Sequence, residues 1–304
     1  MKQRAREKNV DRKFGRIEVH FTNQDKIYWP DDGLTKGDLV DYYDSVAELL
    51  LPYLKDRPQS MHRFPEGILK PGFYQKDVDT GKIPYWIKTA KMFSESNNEY
   101  IDYLVCNDKP TLLYMANLGC IEINPWSSRI AKPECPDWAV IDLDPEDIAF
   151  SEVVKAARTV KDVLEEMEIA SYCKTSGATG LHIFIPLATK YEYSTVRTFA
   201  ELVAQKVHER LPETTSLLRS PSQRKKKVYL DFLQNSRGQT LAAPYSVRPR
   251  PGATVSTPLD WKEVNARLDP KKFTIKNMKR RIDKVGDLWK NVIGKGEDIR
   301  KALK

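Results

Sequence analysis

The chain has 304 residues, with 50 Lys or Arg against 42 Asp or Glu and a net charge of +8. That balance favours an anionic partner, nucleic acid or a membrane surface. No apolar run approaches the roughly 20 residues of a membrane span, and the opening MKQRAREKNVDRK is charged throughout, unlike a secretory signal, so a cytoplasmic protein without membrane attachment is expected.

The length allows one large domain or two small ones. Cys106, Cys120, Cys135 and Cys173 are widely spaced, and no C-x-x-C occurs. Four reduced thiols are expected rather than a zinc site. There is no internal repeat, no P-loop pattern and no G-x-G-x-x-G.

In chain order, the readable run of elements starts at AVIDLDPED, residues 139–147. Ala139, Val140 and Ile141 suit a buried strand, yet the strand runs into Asp142 and Asp144. A strand turns alternate side chains to one face, so the two carboxylates share a face and raise each other's pKa unless something offsets them. A divalent cation, Mg²⁺ or Mn²⁺, is the usual compensator. The competing reading is a strand fraying into an Asx-rich turn before Pro145.

A helix should follow, capped by Ser151, with Val153, Val154, Ala157, Val160, Val163 and Leu164 on one face. SYCKT (171–175) reads as a strand, SGATG (176–180) as a turn and LHIFIPL (181–187) as a strand. A second amphipathic helix covers about 194–211. The basic stretch RSPSQRKKK (219–227) reads as a solvated loop, and KVYLDFL (227–233) as a last strand. The order β-α-β-β-α-β is that of the ferredoxin-like split unit.

By analogy with that fold, the strand order 4-1-3-2 makes the first strand central. Asp142, Asp144, His182 and Asp231 then converge on the face away from the helices. Three acids at one point favour a two-metal phosphoryl-transfer site. SGATG offers Ser176 and backbone N–H groups as a nest for phosphate oxygens, and SVRPRPG offers Arg248 and Arg250 beyond the last strand.

Taken together, TNQDKIYWP, LTKGDLVDYY, HRFPEGI, EINPW, DLDP, TSGATGLHIFIPL, VYLDFLQNSRGQT and APYSVRPRPGA resemble the polymerase domain of the non-homologous end-joining ligase D proteins, in the archaeo-eukaryotic primase superfamily. The resemblance runs from about residue 20 to 289. It implies an α+β, primase-like catalytic domain over 1–304: an N-terminal α/β half (about 14–135) packed on a ferredoxin-like catalytic half with C-terminal helices (about 136–290).

The resemblance further implies a template-directed primase-polymerase that fills gaps at double-strand breaks with NTP or dNTP and two Mn²⁺ or Mg²⁺ ions. Asp142, Asp144 and Asp231 match its metal-binding acids. Ser176, His182 and Arg248 match nucleotide-phosphate contacts, with Arg250 beside them. Lys26 and Lys36 match a pocket for the 5′-phosphate of the downstream strand, where the start of the helix after Lys36 is expected to add N–H donors. Phe73 and Tyr74 match an aromatic pair that stacks near the template. Arg224 and Asn23 match neighbouring DNA contacts.

Two positions depart from the pattern: Asn124 stands where E-x-H is expected, and Thr179 where relatives often carry lysine. No K-x-D-G ligase motif occurs. The expectation is therefore a monomeric prokaryotic polymerase that reaches nucleoid DNA with Ku and a separate ligase.

Other readings of the acids are a metal-dependent nuclease, an aspartyl-phosphate phosphatase and a non-enzymatic RNA-recognition module. The phosphatase usually carries Thr or Val where this chain has Glu146 and needs a parallel sheet. The RNA module places aromatics where this chain places acids.

Overall fold

The computed structural model describes residues 7–224 and 226–303. The N-terminal half builds its core around helix α1 (Lys36–Leu54), set off by Thr35, whose hydroxyl accepts from Asp38 N while Thr35 N donates to the Asp38 carboxylate. Leu39, Val40, Tyr43, Val46 and Leu50 of α1 join a buried cluster. Beside it lies a three-stranded sheet with β1 (Gln59–Arg63) between β2 (Phe73–Gln75) and β3 (Cys120–Pro125). Tyr43 ties helix to sheet by donating its hydroxyl to Ile121 O at 2.6 Å.

The catalytic half has β4 (Trp138–Pro145), α2 (Phe150–Glu166), β5 (Tyr172–Thr175), β6 (Leu181–Pro186), α3 (Tyr193–Arg210) and β7 (Val228–Asp231). Its sheet runs β7-β4-β6-β5, with short strands Thr215–Ser216 and Pro258–Leu259 at the two edges. This is the order 4-1-3-2, so the expected topology holds and β4 is central. The four main strands pair antiparallel.

Alternation then sorts the side chains. Ala139, Ile141, Leu143, Ile183, Ile185, Val228 and Leu230 bury against the apolar stripes of α2 and α3. On the opposite face, Trp138, Val140 and Phe184 meet Tyr53, Trp289 and Val292. That small cluster covers one end of the second face.

One expectation fails. Ser151 does not cap α2, because Ala149 is the cap residue and makes no side-chain bond. The first turn is placed instead by Ile148 and Phe150 packing against the core. Burial outweighs a cap, which contributes only about 1 kcal/mol.

Two glycines admit the loop between β5 and β6. A Cβ at Gly180 would stand 2.2 Å from Leu143 O, and Gly177, at φ +73, would meet Arg248 Cγ at 2.6 Å. The loop therefore lies directly on the end of β4.

The halves are joined by polar and apolar contacts. Ala243, Tyr245, Val247, Val255 and Met278, late in the sequence, belong to the N-terminal cluster. Arg57, fully buried, pairs with Asp137 at the entry to β4, donates to Ser127 O at 2.7 Å, and lies 4.1 Å over the Trp138 ring. Arg129 also reaches Asp137, at 2.8 Å. Burial lowers the Arg57 pKa to about 10, with Asp137 opposing the fall, so the guanidinium stays charged at neutral pH.

Removing one partner leaves a buried charge uncompensated. Asp137→Ala is expected to cost roughly 3–5 kcal/mol by chemical denaturation at pH 7. A loss below about 1 kcal/mol, the range of exposed pairs, would show that the pair does not join the halves.

Candidate active site

Asp142 on β4 sits opposite Asp231 on β7 and His182 on β6, and Asp144 lies opposite Tyr229. The convergence expected from the alternation is what the sheet builds. One carboxylate oxygen from each of Asp142, Asp144 and Asp231 lies within 4.8 Å of the others. Burial, then Asp144 and Asp231, hold the Asp142 carboxyl well above its usual range. Burial and Asp231 likewise raise Asp144, against Arg224 and Arg248.

Asp231 is steadied by donors: its Oδ1 accepts from Leu233 N at 2.8 Å and its Oδ2 from Gln234 Nε2 at 3.2 Å. Asp142 Oδ1, by contrast, is buried and accepts no hydrogen bond. A buried oxygen without a donor is costly. Three hard oxygens at this spacing, on a triad that also carries an orphaned carboxylate oxygen, fit a divalent cation such as Mg²⁺ or Mn²⁺.

His182 Nε2 lies 3.3 Å from Asp142 Oδ1. Burial, with Lys174 and Arg248 nearby, holds its pKa well below the usual histidine value, so the ring is neutral.

Ser176 is beside this group, but the nest expected in SGATG is partly closed. Ser176 Oγ accepts from Ala178 N and Gly180 N, both at 3.0 Å, and Ser176 N donates to Gly180 O. These N–H groups hold the loop together rather than face a ligand. Thr179 lines a separate cavity of about 580 Å³ with Pro145, Asp147 and Pro270.

Arg248 donates to Ser176 O at 3.1 Å, and its Nε lies 3.2 Å from Glu122 Oε2. Glu122 is buried, which would raise its pKa, but His62 and Arg248 outweigh that and lower it. Asn124 also lies by Glu122, where its amide lowers the same pKa. Arg250 is exposed, and its carbonyl accepts from Trp29 Nε1 at 2.9 Å.

From Glu122 the contacts continue outward. His62 Nδ1 is 3.3 Å from Glu122 Oε2, and the His62 ring stacks on Tyr74 at 4.1 Å and 12°. Tyr74 and Phe73 are 59% and 47% exposed, so the pair is a surface feature and not core. They lie opposite His62 and Arg63 respectively, and as neighbours on a strand they turn to different faces.

Asn23, Lys26 and Lys36 meet in a cavity of about 210 Å³ that also contains Tyr28, Arg63, Glu66 and Asn117. Lys26 pairs with Glu66 at 2.6 Å, and Lys36 donates to Thr22 O at 2.6 Å. The helix start does not add free donors, contrary to expectation. Lys36 N and Gly37 N donate to Lys26 O and Gln24 O, and Asp38 N to Thr35 Oγ1. What the pocket presents is therefore side chains.

Arg224 ends a short helix, Pro221–Arg224, stacks 3.9 Å over Tyr229, and donates to Leu218 O and Arg219 O. It thus stands beside the acids, within the basic stretch 219–227, which holds this short helix where a loop is expected. Lys225 of that stretch lies outside the described residues.

Sequence reading assigned no role to Lys174, Arg63, His62 or Glu122. Alternation with Cys173 was a usable signal for Lys174. The other three sit in quoted motifs, but their partners are distant in sequence.

A family model described as the LigD primase-polymerase domain matches residues 35–289. The Bacillus subtilis bifunctional non-homologous end joining protein LigD is 36% identical over 279 residues, covering 90% of this chain and 44% of that protein. The Mycolicibacterium smegmatis multifunctional non-homologous end joining protein LigD is 29% identical over 273 residues, covering 89% and 35%. The chain therefore spans less than half the length of these curated relatives. A solved polymerase domain from Mycobacterium tuberculosis Ligase D, in complex with DNA, matches with a TM-score of 0.85 and 30% identity, over 92% of this chain and 99% of that one.

Mutual repulsion of the acids sets a stability test. A carboxyl whose pKa is raised on folding favours the fold while protonated, and that contribution is lost as pH rises through the raised value. At pH 7.5 with a chelator, Asp142→Asn should therefore raise Tm by a few degrees over wild type. Added Mn²⁺ should raise the Tm of wild type and less that of the variant. Equal Tm values in chelator, with equal Mn²⁺ responses, would refute the shared site.

Proposed function

The chain belongs to the LigD primase-polymerase domain family, and from that membership we propose that it is a template-directed nucleotidyltransferase that fills gaps and extends 3′ ends at DNA double-strand breaks. The observation that carries this reading is the meeting of Asp142, Asp144 and Asp231 at the end of a central strand, with Asp142 Oδ1 unsatisfied. Its DNA is a gap or end bearing a 5′-phosphate, its other substrate NTP or dNTP, and its partners Ku and a ligase.

Asp142, Asp144 and Asp231 would hold two Mn²⁺ or Mg²⁺ ions. When bound, such ions stabilise charge on the attacking and leaving oxygens of an in-line phosphoryl transfer. The remaining work belongs to the chain's own groups. His182, Ser176, Arg248 and Arg250 hold the triphosphate beside the acids. Glu122 and Ser176 O fix the Arg248 guanidinium from two sides, which limits its motion before a nucleotide arrives. Tyr74, backed by His62, and Phe73 offer faces on which template bases stack. Arg224 and Asn23 approach DNA from either end of this surface.

At the far side of a gap, Lys26, Lys36 and Asn23 bind the 5′-phosphate. A terminal phosphate carries roughly −1.5 to −2 charge at pH 7, more than an internal one, so two lysines distinguish an end from duplex interior. Burial and the nearby Lys26 and Arg63 lower the Lys36 pKa to about 8. Its charge is thus present below that pH and is lost above it.

Two outcomes are expected. Asp142→Ala should lower primer extension at least about 100-fold, with DNA binding retained, because its loss acts on the transition state. Labelled primer that shortens in wild type, instead of lengthening, would favour a nuclease. For the pocket, wild type should prefer gapped DNA with a 5′-phosphate by roughly ten-fold or more, the worth of one charge-assisted contact. That preference should weaken between about pH 7 and 9, persist in Lys36→Arg, whose guanidinium stays charged, and vanish in Lys26→Ala/Lys36→Ala. A preference unchanged in the double variant would place the phosphate elsewhere.

A further inference from the structure

Lys174 is fully shielded from solvent, a state lysine almost never adopts without a partner. On β5 it alternates with Cys173, which faces the helices. Lys174 therefore shares the acid-bearing face, opposite His182 in the register. Its Nζ lies 2.8 Å from His182 Nδ1 and 2.5 Å from Ser256 Oγ.

Hydrogen-bond accounting sets the direction of both contacts. Ser256 donates its hydroxyl proton to Thr175 O at 3.0 Å, so its oxygen is left to accept from Lys174. Burial and Arg248 lower the Lys174 pKa to about 7, so below that pH it is an ammonium, with donors and no acceptor. His182 Nδ1 is then the acceptor, and the ring proton sits on Nε2. Asp142 Oδ1, 3.3 Å away, accepts no hydrogen bond. Among the described residues none accepts the Nε2 proton, which leaves it available beside the acids.

We propose that Lys174 is a positioning residue that fixes His182 as its Nε2–H tautomer, making Nε2 a hydrogen-bond donor to a phosphate oxygen of the incoming nucleotide. The second half rests on the nucleotide role of His182 stated under the proposed function. With the other tautomer, Nε2 presents a lone pair, which repels a phosphate oxygen. Lys174 thus decides whether the ring attracts or opposes the substrate, without touching it. Tethered to Ser256 and His182, the ammonium also stays off the carboxylate oxygens.

The tautomer is directly measurable. The chain has four histidines, so ¹⁵N-histidine labelling of the whole chain gives a simple spectrum, and His182→Gln identifies the His182 signals. Wild type should show a protonated Nε2 and an unprotonated Nδ1, told apart by their couplings to the ring protons. A protonated Nδ1 in wild type overturns the proposal before any variant is made.

Lys174→Met should mix or reverse the tautomers and raise the nucleotide KM roughly ten-fold, with a smaller change in kcat. Replacing a buried charge by an apolar side chain of similar volume is often neutral for stability, and a melting curve checks this. In a His182→Gln background, whose amide supplies a donor without a tautomer, Lys174→Met should leave KM unchanged. A Lys174→Met protein whose His182 remains protonated on Nε2 overturns the tautomer control. A shifted tautomer with unchanged KM upholds that control but removes His182 from the nucleotide site, so the two failures are distinguishable.

Discussion

Three carboxylates repelling one another at the end of a central strand are the constraint to which the catalytic half answers. An ordinary sheet would relieve the repulsion with direct salt bridges. Here, among the described residues, no Lys or Arg lies within salt-bridge distance of Asp142, Asp144 or Asp231. The nearby cations are each tethered elsewhere. Lys174 is held by Ser256 and His182, Arg248 by Glu122 and Ser176 O, and Arg224 by two carbonyls and the Tyr229 ring. They oppose the rise in the Asp142 and Asp144 pKa through space without occupying the carboxylate oxygens. A bidentate arginine would stabilise the apo protein more and block the ligand positions. The arrangement trades stability for readiness, as functional sites commonly do.

The same constraint shapes the backbone. Asp142 and Asp144 share a face because Leu143 between them is committed to the helix-side core. A one-residue slip of β4 would exchange acids for leucine on both faces, and the buried Ile141, Ile183 and Leu230 oppose it. Gly180 lets the β5–β6 loop lie on Leu143 O, which brings Ser176 and His182 to the acids. The loop's own N–H groups are largely used in holding its shape.

This half was legible in the sequence because its signal is local: alternation along 139–144, 181–187 and 228–233 sorts each strand's faces, and the β-α-β-β-α-β order supplies the neighbours. The acids and His182 followed from those two facts. What escaped depends on contacts between distant segments. Residue 122 meets residue 248, and residue 174 meets residue 256, and no periodicity announces such pairs. The Ser151 cap and the free helix start at Lys36 failed for a related reason. Local capping rules predicted both, and tertiary partners overrode both: core packing at Phe150 in the first, and the carbonyls of Gln24 and Lys26 in the second. The N-terminal half, built from short strands with long connections, was readable through family motifs alone.

The division of labour between the halves ends in one side chain. Arg63 borders the cavity that holds Asn23, Lys26 and Lys36, and also the adjoining one of about 420 Å³ beside Phe73 and Tyr74. It is fixed by Leu118 O at 2.9 Å and Gln75 Oε1 at 2.6 Å, with its guanidinium 5.3 Å over the Phe73 ring. A side chain held at three points moves little, so the lysine pocket and the aromatic pair keep a fixed separation. Tyr74, stacked on His62, carries the same rigidity toward Glu122 and Arg248. If the pocket holds the far end of a gap and the rings the template, the distance from that end to the acids is set by packing in β1, β2 and β3. A gap of the wrong length must then strain the DNA rather than the protein, since unstacking and bending a strand costs less than moving a packed core.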